Sequence, residues 1–123
     1  TIVEGPQDIE RLLKDTRIGF CPDTAHLAAG GGDPAALIRR YADRISHIHL
    51  KDVRLATHQF LPLGDGDLDF PAIMTAITEA AYDGWLMVEL DDYDGDPRIA
   101  AEFSKTYLDE LSYVRPPNQG ERP

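Results

Sequence analysis

The chain has 123 residues, 22 of them acidic and 12 basic, which gives a formal net charge of −10 at pH 7. This length corresponds to one modest domain, and the acidic excess argues against nucleic acid as a partner, because phosphate binding needs clustered Lys and Arg. No apolar run approaches the roughly 20 residues of a membrane span, so no membrane partner is expected.

Apolar spacing and helix-breaking residues predict four helices alternating with three strands. Aspartate followed by proline, at 33–34 and again at 96–97, is typical of a helix N-cap and first turn. In chain order, we predict helix 7–14, strand 17–23, helix 34–42, strand 45–51, helix 70–82, strand 85–90 and helix 97–114.

The apolar stripes of the helices predict which side chains enter the core. Those expected to be buried are Leu37, Ile38 and Tyr41, then Ile73, Met74, Ile77 and Ala81, then Ile99, Phe103, Tyr107, Leu108 and Leu111. The predicted loop 52–69 is long enough to suggest a function. We expect one domain over residues 1–114 and, because 115–123 is rich in proline, a disordered tail there.

This alternation predicts an α/β fold with a parallel sheet. Right-handed crossovers place the C-terminal ends of all the strands at one edge, where parallel α/β proteins hold their functional groups. That edge receives Asp23 after the first strand, His49 on the second and Glu89 near the end of the third.

Two carboxylates and one imidazole at the same level can converge on a divalent cation, and an oxygen-rich set favours Mn²⁺, Mg²⁺ or Co²⁺. Taken singly, a loop aspartate such as Asp23 is most often a cap or turn residue, and a strand histidine such as His49 is more often a hydrogen-bonded interior group than a ligand. Glu89 shares a strand face with Trp85 and Met87, so we expect its carboxylate to be buried, which is costly unless it is paired or bound to metal.

The single cysteine, Cys21, cannot form an internal disulfide. The N-terminus also lacks the pattern of a secretory signal, so we expect a reducing, cytoplasmic location. Cys21 has no evident base partner in the sequence, and we expect a small packed thiol rather than a nucleophile.

Four motifs in order, CPDTAH at 21–26, IHLKDVR at 48–54, LGDGDLDF at 63–70 and YDGWLMVELD at 82–91, resemble consecutive C-terminal motifs of the xylose-isomerase-like TIM barrels. This superfamily includes sugar isomerases, epimerases and inosose dehydratases. The resemblance implies that the chain corresponds to about strands 6–8 of a (βα)8 barrel. A complete barrel needs roughly 250 residues, so we expect the N-terminal half to be absent from this chain.

The resemblance implies that Asp23, His49 and Glu89 are metal ligands and that Glu89 also acts as an acid or base. It further implies that His26 and Arg54 bind substrate oxygen atoms, and that Lys51 and Asp52 line the pocket. The fourth ligand of such sites is a glutamate on the preceding strand. Glu4 does not match that glutamate.

We therefore predict an isomerase or epimerase for a small sugar or cyclitol, working by proton abstraction next to a metal-polarised carbonyl. A first alternative is an inosose dehydratase-type lyase, in which the same enolate loses a β-hydroxyl. A second is an inactive fragment or non-catalytic binding module that lacks the N-terminal half-barrel.

A third alternative, an apurinic endonuclease of the same fold, is disfavoured because the stretch after the histidine strand, THQFLPLGDG, lacks the Asp-x-His pair of those sites. A sheet of three parallel strands has uncovered edges and is a poor stand-alone design. We therefore expect the chain to form a homo-oligomer or to pair with the missing half-barrel.

Overall fold

A computed structural model describes residue 3 and residues 5–111. These residues form five α-helices and four short strands, with a 3₁₀ turn at Ala42–Arg44. The helices are α1 Pro6–Asp15, α2 Thr24–Ala29, α3 Pro34–Arg40, α4 Phe70–Glu79 and α5 Pro97–Glu110. The strands are β1 Ile48–Leu50, β2 Asp52–Arg54, β3 Gln59–Leu61 and β4 Leu86–Val88.

Three extended segments run in parallel and establish the layout of the molecule. β1 pairs with β4, with His49 opposite Met87. On the other side of β1, residues 20–23 approach it through parallel bridges that join Phe20 to Ile45 and Asp23 to His49. The α/β class with parallel strands is therefore confirmed, and the C-terminal ends of all three segments lie at one edge.

The core lies between this sheet and the helices behind it. Ile48 and Leu50 of β1 are fully buried against Ile38 of α3 and Ile77 of α4. A second cluster packs Leu13 of α1 and neighbouring apolar side chains around the start of the sheet. The opposite face of β1, which carries His49, is therefore the face available for a site.

Within the described residues, none of the helices combines the length and apolarity needed to cross a bilayer.

Several predicted elements are shorter than the sequence suggested. The strand expected at 17–23 is reduced to two isolated bridges, and the unpredicted helix α2 begins directly after Asp23. Loop 52–69 contains the antiparallel β2–β3 hairpin. The predicted end of the last helix at Val114 and the tail 115–123 lie outside the described residues.

Two predicted core positions on α5 are wrong. Ile99 is 64% exposed and Phe103 is 45% exposed, whereas Ala100 and Ser104 are buried instead. The buried face of α5 is therefore rotated from the expected one toward smaller side chains. Ala81 is also exposed, since α4 ends before it and its φ is +50°.

The carboxylate of Asp52 organises the loop that follows the hairpin. Asp52 is fully buried, and its Oδ1 accepts hydrogen bonds from the backbone N–H groups of Val53 and Leu68, at 2.8 and 3.3 Å. Its Oδ2 accepts from the N–H groups of Gly64 and Gly66, at 2.9 and 3.0 Å. A methyl group on Gly66 would collide with this carboxylate, which explains the glycine. Asp52 therefore shapes a loop and does not line a pocket as expected.

Replacing Asp52 by Asn should destabilise the fold. The amide would present two hydrogens where a carboxylate oxygen accepts two N–H groups, so buried donors would lose their acceptor. We expect a loss of about 2–4 kcal/mol in the free energy of unfolding, measured by urea denaturation. Asp65→Asn, on the exposed part of the same loop, is the matched control. Equal stability of the two variants would contradict this role for Asp52.

Candidate active site

The structure brings together the three residues predicted as metal ligands. One ligand atom from each of Asp23, His49 and Glu89 lies within 4.8 Å of the other two. Strand register explains the convergence, because Asp23 bridges to His49 and the Glu89 N–H donates to the carbonyl of Leu50 at 3.0 Å. The parallel sheet thus holds three ligand types at one level of its C-terminal edge.

Asp23 serves as helix cap and as cluster member at once. Its Oδ1 accepts a hydrogen bond from the His26 N–H at 3.1 Å and caps α2. Its Oδ2 faces the cluster, 3.9 Å from Nδ1 of His49 and 3.2 Å from Nζ of Lys51. Asp23 is therefore both a helix cap, through Oδ1, and a member of the cluster, through Oδ2.

Glu89 presents a carboxylate oxygen that suits a cation. Its Oε2 is buried and is in close contact with Nδ1 of His49. One ligand atom of each of Asp23, His49 and Glu89 lies near enough to the others to hold one divalent ion, and two carboxylates with an imidazole suit such an ion chemically. The residues present therefore fit a metal.

Lys51 lies beside this cluster with a side chain that is only 1% exposed. Its Nζ donates to Glu89 Oε1 at 3.1 Å and to Asp91 Oδ2 at 2.7 Å. Burial lowers the pKa of Lys51, but the hydrogen bonds to Asp91 and Glu89 and the charge of Asp23 outweigh burial, so the net effect is a raised pKa. The ammonium is therefore the charged form at neutral pH.

Asp91 completes the charge balance of the site. With Asp23 and Glu89 it makes three carboxylates around the single ammonium of Lys51, which leaves an excess of two negative charges. The hydrogen bond from Lys51 holds the pKa of Asp91 below its ordinary value. An excess of two negative charges matches the charge of a divalent cation.

A histidine and a phenylalanine form the wall on the far side of Lys51. Nε2 of His26 lies 3.5 Å from Nζ of Lys51. The ring of Phe60, brought in by β3, lies edge-on to His26 at 5.4 Å between centroids and 5.1 Å from Nζ of Lys51. Thr24 Oγ1 donates to the Lys51 carbonyl and accepts from the Lys51 N–H, at 2.6 and 2.9 Å. Helix α2 is thereby tied to the end of β1.

Arg54 is not brought into this cluster. It lies on the exposed end of β2, and among the described residues its Nη2 donates to the Asp65 carbonyl at 3.0 Å. Glu4, the residue compared with the fourth ligand, lies outside the described residues.

Sequence reasoning missed Asp91 and Phe60. Asp91 follows Glu89 by two residues, so strand alternation could have placed both carboxylates on one face. No comparable signal marks Phe60, which reaches the site through a hairpin within a loop rich in Gly and Asp.

The face of β4 that carries Glu89 is open, which corrects the expectation that it is buried. Trp85 is 70% exposed and Met87 is 49% exposed. In the described residues β4 pairs with β1 only, so its second edge is uncovered. Exposed apolar side chains next to an unpaired strand edge are typical of a surface that another segment covers.

The family model described as "Xylose isomerase-like TIM barrel" matches residues 3–111. Among relatives, the inosose dehydratase of Geobacillus kaustophilus (strain HTA426) is 36% identical over 139 residues, covering 90% of this chain and 43% of the relative. The rhizopine catabolism protein MocC of Rhizobium meliloti is 38% identical over 119 residues, covering 81% of this chain and 36% of the relative.

Among solved structures, an L-ribulose 3-epimerase superposes with a TM-score of 0.72 at 21% identity. The match covers 89% of this chain and 42% of the epimerase, and at this identity it shows the fold alone. The chain thus spans about two fifths of the length of the proteins that it resembles.

Cys21 is exposed at the edge of the site and is not the packed thiol expected. Partial burial raises the pKa of its thiol, and the charges of Asp23 and Glu89 raise the pKa further. Since the thiolate is the reactive form, this cysteine reports the negative potential of the cluster.

Alkylation of Cys21 by iodoacetamide at pH 8 should be slower in the folded protein than in urea, because a raised pKa leaves less thiolate. Glu89→Gln should accelerate the reaction in the folded protein, because one of the negative charges that raise the pKa is gone. Glu102→Gln, on exposed α5, makes the same charge change elsewhere and should leave the rate unchanged. Equal rates in the Glu89 and Glu102 variants would contradict the electrostatic explanation.

Proposed function

Because the chain belongs to the xylose isomerase-like TIM barrel family, we propose that it forms about strands 6–8 of a barrel enzyme that acts on a small sugar or cyclitol. The observation that carries the proposal is the convergence of Asp23, His49 and Glu89, one ligand atom of each lying within 4.8 Å of the other two. The single cysteine is consistent with a cytoplasmic location for such an enzyme.

In this proposal Asp23, His49 and Glu89 hold a divalent ion, of which Mn²⁺, Mg²⁺ and Co²⁺ suit the oxygen-rich set. When bound, such an ion supplies Lewis acidity that polarises a substrate carbonyl and acidifies the neighbouring C–H. The proton transfer and the contacts to substrate are assigned to side chains of this protein.

Glu89 is the residue best placed to move that proton, since its carboxylate lies at the centre of the cluster and is one-third exposed. The exposed His26 ring can donate a hydrogen bond to a substrate hydroxyl or carbonyl oxygen, and the buried Lys51 ammonium lies 3.5 Å from that ring. Arg54 lies on the rim, where it would contact substrate only if its hydrogen bond to the Asp65 carbonyl were exchanged.

Two outcomes follow from the same proton abstraction. Return of the proton to another carbon or another face gives isomerisation or epimerisation, which we take as the first candidate function. Loss of a β-hydroxyl gives dehydration, and relatives named inosose dehydratase at 36–37% identity favour this second candidate. Assays with ketoses and with an inosose, on the chain together with its upstream half-barrel, distinguish the two functions.

We further propose that the open face of β4 is covered by an upstream half-barrel. Trp85 and Met87 on this face are exposed apolar side chains. On the other face of β4, Val88 lines a cavity of about 350 Å³ together with Tyr93 and side chains of α5. The match to about two fifths of each relative's length leaves room for such a half. A homo-oligomer that covers the same face is the alternative.

Glu89→Gln should reduce kcat in the intact protein by about 10²- to 10⁴-fold, the usual contribution of a general base. The amide keeps the shape of the side chain but cannot accept the proton. Turnover of the substrate found in the assays is measured with Mn²⁺, Mg²⁺ or Co²⁺ supplied, and circular dichroism checks that the fold is intact. Glu102→Gln is the matched control, and full activity of the Glu89 variant would refute the role proposed for Glu89.

The 123-residue chain should be inactive alone and gain activity when the upstream half-barrel is supplied as a second polypeptide. The reason is that part of the substrate pocket, and a further metal ligand in similar sites, would come from that half. Turnover and the mass of the complex are measured with and without the second polypeptide. Full activity of the isolated chain, or a stable homo-oligomer that excludes the second polypeptide, would overturn the pairing proposal.

A further inference from the structure

Lys51 presents a difficulty for a cation site at this position. Its ammonium lies 3.2 Å from Asp23 Oδ2 and 3.1 Å from Glu89 Oε1, so it uses carboxylates that would also hold the metal. A positive charge on the same carboxylates competes with a divalent ion for them. The side chain cannot withdraw into solvent, since it is 1% exposed and packed beside Phe60.

Asp91 provides the counter-charge that would resolve this competition. Its Oδ2 makes the shortest of the three contacts to Nζ of Lys51, at 2.7 Å. Asp91 lies three residues beyond the end of β4 and is half exposed, whereas Asp23 and Glu89 are more buried. Lys51 therefore has an outer partner that is not itself among the three clustered ligand residues.

We propose that Asp91 is a positioning residue that holds the Lys51 ammonium away from the metal position, so that Asp23 and Glu89 remain available to the cation. This inference rests on the proposed function, because it presupposes that the cluster binds a divalent ion. It assigns no chemical step to Asp91. The ammonium that Asp91 retains stays beside His26, where a substrate oxygen would meet it.

The inference differs from a simple effect of charge. Any carboxylate near the site attracts a cation, but a half-exposed one is screened by solvent and contributes little by its field alone. If Asp91 acts through Lys51, removing the Asp91 charge should matter only while the ammonium of Lys51 is present. A double-mutant cycle on the two residues separates the two explanations.

The experiment titrates the intact protein with Co²⁺, whose visible absorption reports affinity and ligand geometry together. Asp91→Asn should weaken Co²⁺ binding by about tenfold, as is common for residues that position metal ligands. In a Lys51→Met background the same change should alter affinity by no more than about twofold, the range within which uncoupled substitutions add. Asp91→Glu, which keeps the charge, should restore most of the affinity.

Asp92→Asn is the matched control, because Asp92 is an exposed neighbour of the same charge whose φ of +46° suits asparagine. Thermal melts check folding, and Lys51→Gln replaces Lys51→Met if the apolar variant does not fold. Equal losses from Asp91→Asn in both backgrounds, or no loss in the wild-type background, would overturn the inference. Absence of Co²⁺ binding by the wild-type protein would instead refute the proposed metal function itself.

Discussion

The Lys51 ammonium between three carboxylates is the interaction on which the site depends. Asp23 follows the first extended segment, whereas Glu89 and Asp91 both follow β4, and without a cation among them the three carboxylates would repel one another. The Lys51 ammonium is buried and hydrogen-bonded, and Thr24 holds the Lys51 backbone through two hydrogen bonds. Because one positive charge faces three negative charges, the ammonium holds the carboxylates together, and the cluster keeps a net negative charge that favours a divalent ion.

The general fold follows from the sequence because each prediction rested on local chemistry. Asp-Pro pairs at 33–34 and 96–97 begin helices as predicted, and the predicted strand 45–51 contains β1, in which the buried Ile48 and Leu50 flank the half-open His49. The convergence of Asp23, His49 and Glu89 was predictable for a related reason, since parallel strands bring their C-terminal ends to one edge.

The remaining features depend on contacts that local patterns do not encode. Helix α2 has a local signal in its Asp23 cap, but it is also held by Thr24, whose hydroxyl bonds the backbone of Lys51 just after β1, a residue distant in sequence. The β2–β3 hairpin forms inside a loop whose shape is fixed by the Asp52 carboxylate. On α5, Ile99 and Phe103 look like core residues because they are apolar, yet they face outward, and a helical stripe alone does not reveal what it packs against.

Asp23 links the site to the backbone of a helix. Its two oxygens are joined by one rigid carboxylate plane, so a rotation that brings Oδ2 closer to a ligand moves Oδ1 relative to the His26 amide that it caps. Filling the cluster is thus mechanically connected to the first turn of α2, which carries His26 itself. A cation that drew Oδ2 inward would therefore also act on the hydrogen bond between Oδ1 and the His26 N–H.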